Sequence, residues 1–276
     1  MKVSIGTGSL QECFNEDYWK IFNYAVQNNH YIHSALNYPN VEQYFNRANS
    51  CKIRVTKVIF KIEINKNPIK KIINIPKQIN LILNKFKIEF IDTIQICNNP
   101  SANSLNMLLL KKILIKLKKK GLVKNFFLES FIPFSDNLNN LINDDFFNGY
   151  IFKLNILQRG VSSNFLYNIM NSKKKIICIS PLSAGNTEKI INTLDNKFKL
   201  ELNKIAKANN LKNYISLNIA FLKSINKVEF GIFGTKNLSR LIDIKNKINT
   251  INPLKFSDMK KIIELQEKYN PRVNYK

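Results

Sequence analysis

Short apolar segments of about five residues alternate with longer stretches of helical periodicity along almost the whole chain, and the pair repeats about eight times. A parallel neighbour can be reached only through a crossover, and helices packed on the sheet serve as crossovers. The repeat therefore predicts a parallel sheet covered by helices. About eight units in 276 residues fit a closed (β/α)8 TIM barrel, for which ~250 residues are usual. A doubly wound open sheet is the runner-up. Its glycine-rich dinucleotide fingerprint is missing, since Gly6-Thr7-Gly8 is only a fragment of it. No low-complexity linker divides the chain. Residues 1–276 are expected to form a single α/β domain with a helical tail from about residue 255.

The predicted strands run over Val3 to Thr7, the first half of His30 to Tyr38, Ile53 to Phe60, Phe90 to Ile96, Val123 to Leu128, Tyr150 to Ile156, Ile176 to Ser180 and Phe230 to Phe233. Helical spacing covers residues 16–28, Val41 to Ala48, Ile72 to Phe86, Ser104 to Lys120, Asn196 to Ala208 and Asn213 to Lys223, with a weaker pattern over Asp136 to Asp145. Gly121 is placed to stop the basic helix before it.

A formal charge of +24, from 43 Lys and Arg against 19 Asp and Glu, invites a nucleic-acid reading. The excess is mostly Lys, spread over the whole length among frequent Asn and Ile, the residues of A/T-rich codons. No aromatic-and-basic RNA motif or recognition helix stands out, so no specific nucleic-acid partner is expected. Cys13, Cys51, Cys97 and Cys178 form no Cys-x-x-Cys pair, and with only two His no metal site is expected. Scattered thiols suit a reducing cytosol. The first residues lack the apolar run of a signal peptide, and no stretch approaches ~20 apolar residues. The expectation is a cytoplasmic protein with no membrane partner. The sequence does not reveal its oligomeric state.

In a barrel, ligands bind where strands end and loops begin. The candidates are thus Thr7, His33 to Tyr38, Lys57, Cys97 to Asn99, Glu129-Ser130, Asn155, Ser180 to Gly185 and Gly234 to Arg240. Lys57, read as lying inside an apolar strand, would need a partner. Tyr38 lies on the neighbouring loop. A lysine beside a tyrosine stabilises the phenolate and makes the phenol a better proton donor and acceptor.

These segments together resemble the aldo-keto reductase family over nearly the whole chain. The likeness lies in Ile5-Gly6-Thr7-Gly8, in Ser34-Ala35-Leu36-Asn37-Tyr38, in Val55-Thr56-Lys57 and in Ile91-Asp92-Thr93-Ile94-Gln95-Ile96. It continues in Asn155-Ile156-Leu157-Gln158-Arg159, in Ser180-Pro181-Leu182-Ser183-Ala184-Gly185 and in Phe233-Gly234-Thr235-Lys236 followed by Leu241. The resemblance implies NADPH-dependent reduction of a small-molecule carbonyl to an alcohol. Tyr38 would be the acid and Lys57 its tuner. Gly6, Thr7, Ser180, Pro181, Leu182, Gly185, Gly234 and Thr235 would line the cofactor, with Lys236 and Arg240 on the adenosine 2′-phosphate.

Several positions depart from the family pattern. The family aspartate five residues before the tyrosine is His33, and the family histidine after the fourth strand falls on Cys97, or on Asn98 with a one-residue shift. The serine-asparagine pair that cradles the nicotinamide falls near Glu129-Ser130, and the amide-binding glutamine falls on Ile151. A neutral His33 is expected beside a lysine. It either relays a proton to Tyr38 or is a remnant of a lost site. Cys97 reads as a small buried hydrophobe rather than a nucleophile. Two functions lead, a reductase with an altered catalytic set and an inactive barrel kept as a binding or scaffold protein, and non-specific nucleic-acid binding through the +24 charge ranks third.

Overall fold

The computed structural model describes residues 1–10, 12, 14–64, 68–97, 104–130 and 134–269. Its eight strands are β1 (Lys2–Gly6), β2 (Tyr31–Ala35), β3 (Val58–Glu63), β4 (Ile91–Cys97), β5 (Val123–Glu129), β6 (Gly149–Lys153), β7 (Lys175–Ile179) and β8 (Val228–Phe233). They pair in chain order, every pair parallel, and β8 closes on β1. This is the expected single-domain (β/α)8 barrel.

The helices are α1 (Glu16–Gln27), α2 (Val41–Ser50), α3 (Pro68–Ile73), α4 (Ile75–Phe86), α5 (Ser104–Lys119), α6 (Ser163–Met170), α7 (Thr187–Thr193), α8 (Asn196–Ala208), α9 (Tyr214–Ser224), α10 (Leu238–Thr250) and α11 (Phe256–Tyr269). Apolar side chains fill two layers. Ile59, Phe127, Ile151, Ile177, Phe230 and Ile232 plug the barrel interior, and Tyr31 stacks on Phe230 with ring centroids 4.6 Å apart. Alternate strand residues face outward and pack under the helices, among them Val58, Phe60 and Ile62 of β3.

Local chemistry sets the boundaries. Asn15, Ser162, Asp195, Asn213 and Asn237 cap α1, α6, α8, α9 and α10 by accepting a backbone N–H. Gly121, at φ 72°, ends α5 as its position suggested. The periodicity over Ile72 to Phe86 resolves into two helices that meet at Asn74, with Pro76 in the first turn of α4. The weaker pattern over Asp136 to Asp145 is a 3-10 segment, Phe134–Leu141. The spacing did not reveal α6, α7 or α10.

The third strand differs most. It was expected over Ile53 to Phe60, but β3 begins at Val58 and runs to Glu63. Lys52 takes a left-handed conformation after α2, and the Ile53 N–H closes the helix end on the Ala48 carbonyl at 2.8 Å. That amide belongs to the helix cap and cannot serve the sheet.

Close packing of β6 on β7 gives a test. A Cβ at Gly149 would lie 2.0 Å from the Lys175 carbonyl oxygen, whereas at Gly121 nothing lies within 4 Å. In urea unfolding, Gly149→Ala should cost more than ~3 kcal/mol. Gly121→Ala should cost only about 1 kcal/mol, from its positive φ. Equal losses would contradict this packing.

Candidate active site at the carboxyl end of the barrel

Because all eight strands are parallel, their carboxyl ends open on one mouth. The mouth has two chemically distinct sides. The loops after β7, β8 and β1 carry glycine, serine and threonine. The ends of β2 to β5 carry His33, Lys61, Glu63, Cys97 and Glu129.

On the second side, Lys61 and Glu63 occupy the last inward positions of β3. Their register partners on β4 are Gln95 and Cys97, and Cys97 in turn aligns with Glu129 on β5. Lys61 Nζ is 3.2 Å from Glu63 Oε1. Gln95 Nε2 donates to Glu129 Oε2 at 3.0 Å, and the Cys97 thiol donates to the same carboxylate. His33 Nε2 lies 2.7 Å from Gln95 Oε1. Tyr38, three residues beyond β2, is half-buried, and a Cβ at Gly8 would sit 3.6 Å from its ring.

This arrangement fixes hydrogens that the sequence leaves undefined. A carboxylate only accepts, so the Gln95 amide nitrogen must face Glu129 and its oxygen must face His33. The His33 Nε2 therefore carries the proton and donates, leaving Nδ1 as the acceptor nitrogen. Burial, more than any neighbour, pushes the His33 imidazole below its ordinary value, so it is neutral, as expected beside a lysine.

That lysine is Lys61 and not Lys57. Lys57 precedes β3, at the amino end of the barrel, with its Nζ 5.7 Å over the Tyr31 ring and its carbonyl bonded to the Ile32 N–H. Four residues of strand separate it from Lys61, or about 13 Å, more than its side chain can span. The expected pairing of Lys57 with Tyr38 is thus corrected. Lys61 and Gln95 were missed, although the alternation of Ile59, Lys61 and Glu63 against Val58, Phe60 and Ile62 marks the polar pair as inward-facing.

Burial raises the Tyr38 phenol above its ordinary value, and Lys61 pulls in the opposite direction. Burial alone would lower the Lys61 ammonium, but Cys97, Glu129 and Glu63 outweigh it and raise it. Burial pushes the Cys97 thiol far up and Glu129 adds to this, so at neutral pH it is a neutral donor. The carboxylates are then the groups that hold Lys61 charged. Asn98 and Asn99 lie outside the described residues.

On the glycine and serine side, several expected ligand residues already have structural partners. The buried Thr7 hydroxyl donates to the His33 carbonyl at 3.0 Å, pinning the β1 loop to β2. Ser9 Oγ reaches the Gly6 and Thr235 carbonyls, tying the first loop to the last. Asn155 Nδ2 donates to the Ser180 carbonyl, and its oxygen accepts from the Leu157 and Gln158 amides. Ser180, Ser183, Ala184 and Gly185 all have positive φ, so the Ser180 to Gly185 segment winds tightly around the buried Pro181. The Leu182 carbonyl accepts from Gly185 N–H and the Thr187 hydroxyl. Gly234 is exposed. Lys236 forms an ion pair with Glu12, and Arg240 lies exposed in the first turn of α10.

Two buried hydroxyls in this mouth, Ser130 Oγ and Ser183 Oγ, have no hydrogen-bond partner among the described residues. They follow β5 and β7 and could serve a polar ligand. Ile151 is fully buried and offers none. Among the described residues no cluster of His, Cys, Asp and Glu could hold a metal ion, and no helix is long and apolar enough to cross a membrane.

No protein-family model and no curated protein matches the sequence. Solved structures do match. An aldo/keto reductase from Brucella melitensis is similar at 18% identity and a TM-score of 0.66, over 95% of this chain and 92% of that one. An aldo-keto reductase from a Medee basin deep-sea metagenome library gives 17% identity and 0.66, over 95% and 90%. The fold is that of the aldo-keto reductases. A Bombyx mori aldo-keto reductase in complex with NADP is a third neighbour, at 15% identity and a TM-score of 0.67, over 95% and 88%. What the chain shares with these aldo-keto reductases is the barrel.

His30, the second histidine, is also held below its ordinary value by burial and then by Lys245 and Lys57. Both folded values lie below the unfolded value of about 6.5. The unfolded chain therefore takes up protons first, and stability is full above pH ~6.5 and falls as the pH drops through it. Urea unfolding at pH ~7.5 and ~5 should show a smaller acid loss for His33→Gln than for the parent. An undiminished loss would contradict a buried neutral His33.

Proposed function

We propose that this barrel reduces the carbonyl group of a small molecule to an alcohol with NADPH, using Tyr38 as the proton donor and Lys61 as the cation beside it. What supports the proposal is that Lys61, ion-paired with Glu63, aligns with Ala35 at the end of β2, three residues before the half-buried Tyr38, and draws the Tyr38 phenol down against its burial. A phenol raised above its ordinary value stays protonated at neutral pH, which suits an acid. As the carbonyl oxygen gains negative charge, the Tyr38 O–H donates its proton to it. Lys61 stabilises the phenolate left behind, and solvent then returns a proton to it.

The residues present fit a dinucleotide in outline. Ser130 and Ser183 offer free hydroxyls for an amide and a phosphate, and the loop from Ser180 to Gly185 winds beside the opening. Gly6, Thr7, Gly234 and Thr235 form the adjoining wall. Arg240 and Lys236 would meet the 2′-phosphate, Lys236 by exchanging Glu12 for it. When bound, the cofactor supplies the hydride. One observation favours the second reading, an inactive barrel that binds without reducing: Ile151 puts an apolar side chain where the resemblance places an amide-binding glutamine.

Titrating NADPH while following the emission of Trp19 and of the nicotinamide should give saturable binding, and none at high micromolar cofactor would defeat the proposal. In an aldehyde-reduction assay, Tyr38→Phe and Lys61→Met should each lose at least ~100-fold in kcat. Lys57→Met should stay within about threefold, because its ammonium is at the far end of the barrel. A Lys57 effect as large as that of Lys61 would overturn the assignment.

A further inference from the structure

We propose that Glu129 supplies, from β5, the negative charge that holds Lys61 beside Tyr38, in place of the carboxylate that the resemblance puts at the position of His33 on β2. The proposal rests on the reading of Lys61 as the cation that serves Tyr38. Glu129 is a positioning residue in this scheme, acting on the phenol only through the lysine.

Three groups compete for that role. His33 is the first. It is buried and neutral, its Nε2 proton is committed to Gln95, and it has no negative charge to offer. Glu63 is the second, at 3.2 Å from Lys61, but its side chain is 51% exposed against 28% for the lysine. A carboxylate so open to water forms a weak and mobile ion pair. Glu129 is the third. It is half-buried at the mouth and takes hydrogen bonds from two fixed donors, the Gln95 amide and the Cys97 thiol. Gln95 is itself the register partner of Lys61, so the group that orients Glu129 lies next to the cation.

The linkage of His33, Gln95 and Glu129 also shows how the charge could move from β2 to β5. An aspartate at position 33 would face the Gln95 side chain from one side while Glu129 faced it from the other. With the amide nitrogen turned to Glu129, the amide oxygen left facing position 33 can only accept, so a histidine N–H is the complement that the relocated carboxylate requires. Replacing both residues together exchanges one satisfied arrangement for another. Replacing one alone leaves a buried polar group unpaired.

The test compares Glu129→Gln, the double variant with His33→Asp and Glu129→Gln, and Glu63→Gln. The first readout needs no turnover: NMR titration of 13C-labelled lysine, with the Lys61 resonance assigned by Lys61→Arg. Glu129→Gln should move the Lys61 titration to lower pH, the double variant should return it, and Glu63→Gln should move it less. In the reduction assay Glu129→Gln should lose about tenfold in kcat, and the double variant should recover most of that. A larger titration shift for Glu63→Gln, or no return in the double variant, would overturn the proposal. If Glu129→Gln fails to fold, the double variant decides alone, since it should fold and titrate like the parent. Should these titrations behave as predicted in a protein without reductase activity, the charge relocation stands and the reductase reading falls.

Discussion

A lysine ammonium at the end of a buried barrel strand must have negative charge near it, and the arrangement of this mouth follows from that requirement. Below Lys61 the interior is closed by Ile59, Phe127, Ile151 and Ile177. The charged head can only rise toward the opening, where Glu63 and Glu129 stand on the same side. The carboxylate of Glu129 needs donors, and Gln95 and Cys97 provide them. Orienting the Gln95 amide in this way then dictates the tautomer of His33. One charge thus fixes four neighbours through the donor and acceptor inventory alone.

The other side of the mouth is held by a different device. Thr7 and Ser9 use their hydroxyls to lock the β1 loop to β2 and to the β8 loop. The Asn155 side-chain amide joins the β6 and β7 loops by donating to the Ser180 backbone carbonyl. These loops are tied to one another by hydrogen bonds from side chains to backbone carbonyls. Lys61, Glu63 and Glu129 crowd one side of the mouth, and the hydroxyl pins of Thr7 and Ser9 hold the other.

Much of the fold could be read from the residues because alternation with helical crossovers leaves few topologies. The helix stop at Gly121 follows from local chemistry. The site was less legible. The Thr56-Lys57 pair matches a family string, but the backbone there serves the end of α2, and the strand starts later than its apolar run suggests. Period-two alternation past Phe60 would have pointed to Lys61 and Glu63. Gln95 and Glu129 could not be linked from sequence, since their contact depends on the register between β4 and β5, 34 residues apart. Helices α6, α7 and α10 escaped because two are only seven and eight residues long and the third follows a loop read as cofactor wall.

The central claim is that Lys61, and not Lys57, is the cation that acts on Tyr38. NMR titration of 13Cζ-labelled tyrosine, with the Tyr38 resonance assigned by Tyr38→Phe, tests it without substrate or cofactor. Removing a nearby positive charge destabilises the phenolate, so in Lys61→Met the Tyr38 titration should move to higher pH, while Lys57→Met leaves it in place. A shift in Lys57→Met with none in Lys61→Met would contradict the account.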